Sequence, residues 1–166
     1  MKSFRHIALS ALLTIGAFSA VTYTSCSKDD CKDVTCQHGG TCSGGNCTCP
    51  SGFSGTRCEV IDAAKFVGTY SVLENCSVSG GVGPYSASIT QSTSNVVNIL
   101  LTNFGDFTDT ITVTGSVNGT TLTIPSQTTV GYTISGNGTY NNGVINISYT
   151  VSGSNNETCT ATWTKQ

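Results

Sequence analysis

Nine cysteines carry the most evident chemistry in this 166-residue chain, and their positions divide them into one, six and two. Cys26 stands alone at the end of an apolar stretch. Cys31, Cys36, Cys42, Cys47, Cys49 and Cys58 crowd together, and Cys76 and Cys159 bracket most of the remaining chain. An odd count leaves one thiol without an intramolecular partner. That leftover is Cys26, and none of the three groups points to catalysis.

The start of the chain explains the leftover. Lys2 and Arg5 precede an uncharged, largely apolar run from Ile7 to Val21. The run is shorter than the ~20 residues that a membrane-spanning helix usually needs. With Tyr23-Thr24-Ser25 before Cys26, the segment resembles a bacterial lipoprotein signal, departing from it at Tyr23, where Leu is usual. The resemblance implies removal of residues 1–25 and acylation of Cys26. Two or three chains anchor firmly, because each buried CH₂ adds about 0.8 kcal/mol. The alternative, an ordinary signal peptide, leaves a free Cys26 beside six other cysteines in an oxidising compartment. Residues 26–30 form a tether, and Ser27-Lys28-Asp29-Asp30 is similar to the surface-export signal of some Gram-negative phyla. A solvated polar tether would have much the same composition. The expected location is the outer membrane, lipid-anchored and exposed on the cell surface.

Residues 31–58 have the spacing C-x4-C-x5-C-x4-C-x-C-x8-C and end in Gly52-Phe53-Ser54-Gly55 before Cys58. Six cysteines allow 15 connectivities. The pattern resembles an EGF-like domain over the whole module, which implies the pairs Cys31–Cys42, Cys36–Cys47 and Cys49–Cys58. So short a segment needs covalent staples because it cannot bury a sufficient core. Zinc held by these cysteines and His38 fits an exported, oxidised chain poorly. Calcium would draw on Asp29 and Asp30, but Ser43-Gly44-Gly45-Asn46 is too short to complete that pattern. Thr41 stands where animal EGF domains accept O-fucose, which a bacterial signal makes irrelevant. We expect no metal and no cofactor, and a rigid spacer as the module's role.

The linker, residues 59–65 (EVIDAAK), has neither Gly nor Pro and is too short and apolar for a flexible tether, so the two domains are expected to touch. Residues 66–166 form the second domain. Around it, Lys65 and Lys165 stand against Asp62, Glu74, Asp106, Asp109 and Glu157, and Thr, Ser and Asn fill the polar positions. With no basic stripe, nucleic acid is excluded as a partner. Period-two alternation, as in Thr110–Thr114, Ile145–Val151 and Cys159–Thr164, predicts eight antiparallel strands: 66–76, 84–92, 95–104, 108–117, 120–125, 129–140, 143–152 and 157–165. Asn118-Gly119 and Asn142-Gly143 are expected as type I′ hairpin turns. No helix is expected in this domain.

The cysteine pair bears on the topology. In an eight-strand meander closed on itself, the end of strand one meets the beginning of strand eight, and Cys76 and Cys159 sit at those two points. The fold class is therefore mainly β, an EGF-like module followed by an eight-stranded antiparallel barrel, with a β-sandwich as the alternative. Gly68-Thr69-Tyr70 on strand one resembles the Gly-x-Trp opening of lipocalin-like barrels, with Tyr70 in place of Trp and Lys165 placed as the basic residue across it. That resemblance implies a small apolar ligand in the barrel mouth. Tyr70, Tyr85, Ile147, Tyr149 and Trp163 are the candidate lining, their rings suited to a flat or sugar-like ligand. Tyr132 shares their inward parity, so the rings equally suit a barrel filled by its own side chains. The uncharged run Ser77–Gly83 is expected to be a mobile flap over the opening.

An enzyme is not expected. Asp106 and Asp109 are the only close carboxylates, and at this spacing on a glycine-containing turn they read as turn formers. Asp109-Thr110-Ile111 also resembles a bacterial O-glycosylation tripeptide. Two classes of function remain: a surface lipoprotein that binds a small ligand, and an adhesion or structural module that contacts macromolecules.

Overall fold

The computed structural model describes residues 30–106, 111–153 and 156–166. Cys26, the signal segment, Asp109 and Thr110 lie outside them. The first module holds two small hairpins, β1 (Thr41–Ser43) with β2 (Asn46–Thr48), and β3 (Phe53–Ser54) with β4 (Val60–Ile61). Its disulfides join Cys31 to Cys42, Cys36 to Cys47 and Cys49 to Cys58. His38 stacks on Phe53 at 4.3 Å, and its Nδ1 is 2.8 Å from the Cys58 carbonyl.

A 3₁₀ turn, Asp62–Phe66, leads into eight antiparallel strands: β5 (Gly68–Cys76), β6 (Gly80–Gln91), β7 (Asn98–Thr102), β8 (Thr112–Asn118), β9 (Thr121–Thr129), β10 (Tyr132–Asn141), β11 (Val144–Ser152) and β12 (Glu157–Lys165). They form a closed barrel in which each strand pairs with its sequence neighbour and β12 pairs back onto β5. Closing the sheet abolishes its edges. Cys159 stands directly opposite Cys76 across the closing pair, and the two are bonded.

The interior is apolar and tightly filled. Trp163, Tyr70, Phe66, Phe104, Ile99, Leu101 and Ile134 all have no accessible surface. A void large enough for water against any of them would leave some of that surface accessible. Trp163 meets Tyr70 edge-on at 5.8 Å and Phe104 at 5.9 Å, so rings occupy the middle of the barrel.

Several local expectations change. Phe66 belongs to the 3₁₀ turn rather than to the first strand, and a second short turn, Phe104–Asp106, follows β7. The strand expected over 120–125 runs on to Thr129, past Pro125. The Asn142-Gly143 hairpin has positive φ at both central residues. At the other site the pair Asn118↔Thr121 makes Gly119-Thr120 the central residues, with Gly119 alone at positive φ. Asn118 stays in the strand because its Oδ1 accepts the Gly52 N–H at 3.3 Å.

The expected flap is not one. Only Ser77–Ser79 turn, and Gly80, Gly81 and Val82 pair with Cys76, Asn75 and Glu74. Ser77 N–H donates to the Thr158 carbonyl at 2.9 Å and Ser79 Oγ to Glu157 at 2.9 Å, so β12 holds the turn. Glycine-rich backbone pairs as readily as any other once the disulfide and these bonds set the register.

The strand expected from residue 129 is broken by a turn at Val130-Gly131, with Val130 at φ 47° and 67% exposed. A β-branched residue there is held in the left-handed region, at a cost of about 1–2 kcal/mol. Val130→Asn is expected to stabilise the barrel by about 1 kcal/mol, read as a higher urea midpoint with an unchanged slope. The Cys76–Cys159 bridge spans 83 residues of chain. Its double serine variant is expected to lose about 4 kcal/mol, measured by the same titration.

Candidate functional site

The two ends of the barrel are built differently. One end is closed by the 3₁₀ turn, with Ala63 and Phe66 fully buried in it. Tyr70 donates its hydroxyl to the Phe66 carbonyl at 2.6 Å, and burial pushes its pKa up to about 12. Lys165 stands opposite Tyr70 in the closing pair, and its Nζ donates to the Lys65 carbonyl at 3.1 Å. Gly68, at φ 153°, leaves the space along which the Lys165 stem passes, since a Cβ there would come within 2.6 Å of Lys165 Cε.

The disulfide-rich module docks on this same end. Gly52 packs so closely on β8 and Val97 that a Cβ would lie 2.3 Å from Val97 Cγ1. Asp62, 1% exposed, is the centre of the contact. Its Oδ1 accepts Ser54 Oγ–H at 2.6 Å from the module, its Oδ2 accepts the Gly119 N–H at 2.7 Å from the barrel, and Lys65 Nζ lies 3.7 Å away. Burial raises the Asp62 pKa, but these hydrogen bonds and the lysine charge together outweigh it and leave the carboxyl below its ordinary value. The residues read as a linker are thus built into the joint, and the two modules touch as expected.

The opposite end carries the disulfide, the Phe104–Asp106 turn and a buried carboxylate. Glu74 lies on β5 at the inward parity of Tyr70 and Val72 and is 5% exposed. The hydroxyls of Tyr85 on β6 and Tyr149 on β11 stand close enough to feel its charge. Tyr85 accepts the Gly105 N–H at 3.2 Å, and Tyr149 meets the Phe104 ring at 4.6 Å. Glu74 Oε1, Tyr149 Oη and Trp163 Nε1 have no hydrogen-bond partner. Burial raises the Glu74 pKa despite the two phenols, and the charges on Asp106 and Glu157 push it the same way. Burial together with the carboxylate raises the Tyr85 and Tyr149 hydroxyls strongly, so both stay protonated.

The five residues expected to line one ligand site are therefore spread along the barrel. Tyr149 and Tyr85 are at the Glu74 end, Trp163 and Ile147 are in the packed middle, and Tyr70 is at the docked end with its hydroxyl already used. Asp106 is exposed on its turn. Sequence reasoning passed over Glu74, although the alternation Tyr70, Val72, Glu74, Cys76 put it on the inward face; it was counted only as one surface charge among several. Shallow recesses also lie on the outer face of β10–β12, one of about 240 Å³ lined by residues including Asn137, Asn146, Thr160 and Thr162, and one of about 350 Å³ beside it.

Compared with models of known protein families, with curated proteins and with solved structures, the chain has no significant match.

The two buried carboxylates give opposite pH dependences. Asp62 has a depressed pKa, so its contribution is present above the ordinary carboxylate range and is lost as pH falls through the lowered value. Asp62→Asn is expected to cost about 2 kcal/mol at pH 7, with the deficit shrinking toward pH 2 in thermal melts. Glu74 has a raised pKa, so folding is unpenalised below ~4.3, the ordinary glutamate value, and stability falls as pH rises through the raised value. Glu74→Gln is expected to raise Tm above that of the wild type at pH 7–8 and to match it near pH 3.

Proposed function

We propose that this chain is a non-enzymatic binding lipoprotein of a bacterial outer surface, whose EGF-like module is a rigid spacer and whose lipocalin-like barrel presents its binding surface away from the membrane. The observation that carries this reading is the joint at Asp62. The disulfide-rich module packs against the barrel end at Asn118 and Gly119, which supports a Glu74 end that faces away from an anchor at Cys26. A stiff joint suits a module that must hold a site at a fixed distance from a surface. The site is then confined to the outward end, because rings fill the barrel's middle.

A second reading, adhesion through the barrel wall, draws on the recesses of β10–β12. Their lining is uncharged, and the Thr, Ser and Asn residues in it suit hydrogen bonding to a macromolecule.

Two measurements test these readings. Cys26→Ala is expected to move the protein from the membrane fraction to the soluble one, and an unchanged membrane pellet overturns the lipid anchor. Trp163 is the only tryptophan in the chain. Its emission and the melting temperature are to be followed against a panel of lipids, pigments, oligosaccharides and small charged molecules. A response supports ligand binding. A flat response across the panel, with retention on immobilised extracellular polymers, favours adhesion instead.

A further inference from the structure

We propose that the outward end of the barrel binds a small organic cation, an alkylammonium group held by the Glu74 carboxylate beside the rings of Tyr85 and Tyr149. This rests on reading that end as the binding end. Three separate features of the structure converge on the ligand's charge.

The first is an unmet hydrogen-bonding demand. Glu74 and Tyr149 are 5% and 2% exposed; the two phenols act on the carboxyl as donors, yet neither Glu74 Oε1 nor Tyr149 Oη makes a hydrogen bond of ordinary length. Buried polar atoms are ordinarily satisfied, and those left over mark functional positions more often than the rest of a core does. An ammonium group donates to the carboxylate, while the phenol ring presents its negative face to the charge.

The second is the charge balance. Asp106, exposed on its turn, and Glu157, half-buried at the start of β12, both act on Glu74. The described cations lie elsewhere: Lys32 and Arg57 in the disulfide-rich module, and Lys65 and Lys165 at the docked end. Among the described residues, the Glu74 end has three carboxylates and no Lys, Arg or His. A neutral sugar would satisfy the hydrogen bonds and leave the charge uncompensated. An anion would add to the repulsion.

The third is access. Glu74 stands two residues from the Cys76 end of β5, against the half-exposed Tyr85, and a compact head group enters there by displacing rim side chains. Like-signed charges around an opening raise the local concentration of the opposite ion.

Binding is coupled to a proton. The groups facing Glu74 are Tyr85 on β6, Tyr149 on β11, Asp106 on the turn after β7 and Glu157 on β12. Both phenols stay protonated, so Glu74 is the group that must ionise. A cation bound to the neutral acid displaces its proton to solvent, and affinity rises with pH until Glu74 is ionised without help.

The test uses the full mature chain in detergent, titrated with methylammonium chloride and n-butylammonium chloride at constant ionic strength. Sodium butyrate and maltose serve as anionic and neutral controls. A saturable change in Trp163 emission and a rise in Tm are expected with the ammonium salts only, with protons released in weak buffer. Glu74→Gln is expected to bind roughly 10- to 100-fold more weakly and Tyr149→Phe about 3- to 10-fold more weakly, both variants keeping the wild-type circular dichroism spectrum. An ammonium response unchanged in Glu74→Gln, or equalled by butyrate, overturns the proposal. A response to maltose or to butyrate without one to ammonium overturns the cation and leaves the outward-end site standing. Silence from every class of probe overturns both.

Discussion

Everything in the barrel depends on the register in which its last strand meets its first. Side chains alternate across a strand, so a slip of one residue would exchange the inner and outer faces of the closing pair. Cys159↔Cys76 fixes that register, with Ala161↔Glu74 and Trp163↔Val72 following in step. The same step puts the largest ring of the core inside, and it puts Glu74 inside as well. An irregularity in the β5–β6 pairing near Gly83-Pro84 lets the two strands re-register without moving Glu74 off the inner face. The buried carboxylate is thus a consequence of ring closure rather than a local accident.

The two ends of the ring settle their polar groups in contrasting ways. At the docked end Asp62 is almost fully buried, yet both oxygens accept short hydrogen bonds and a lysine stands near. Such a carboxylate ties three pieces of chain together, because Ser54, Lys65 and Gly119 come from the module, the linker and the barrel. At the outward end Glu74 has two phenols beside it and a lone oxygen left over. The docked end satisfies its buried carboxylate, whereas the Glu74 end buries one with an oxygen left over.

The sequence was legible wherever structure depends on pattern over many residues. Period two over β11 and β12 gave those strands almost to the residue, and the cysteine spacing together with strand parity gave closure of the ring. Single positions were less legible. Val130 is a strong strand former that the structure spends on a turn, because the registers on either side leave two residues there and Gly131 supplies only one of the two positive φ angles. Ser77–Gly83 read as mobile because its composition is free of charge and rich in glycine. Its order comes from Thr158 and Glu157, some 80 residues away, which no local pattern reveals. The same holds for Asp62, whose partners Ser54 and Gly119 meet only once both modules have folded. Glu74 was visible in the alternation and was passed over because an acidic residue in a strand reads first as a solvent-facing one.

The opposite pKa directions of the two buried carboxylates separate structure from function in physical terms. A carboxylate whose burial is outweighed by donors keeps its charge at every pH the cell meets, so it serves as a fixed joint. One whose burial outweighs its donors ionises only at higher pH, and an opposite charge brought beside it favours the charged form. A barrel with a packed middle has no volume to offer a bulky apolar ligand. It retains, at the Glu74 end, a charge that is costly to bury, beside the rings of Tyr85 and Tyr149. Selectivity at such an end would come less from shape than from the sign of the ligand's charge, because the joint at Asp62 leaves the Glu74 end as the one not covered by the disulfide-rich module.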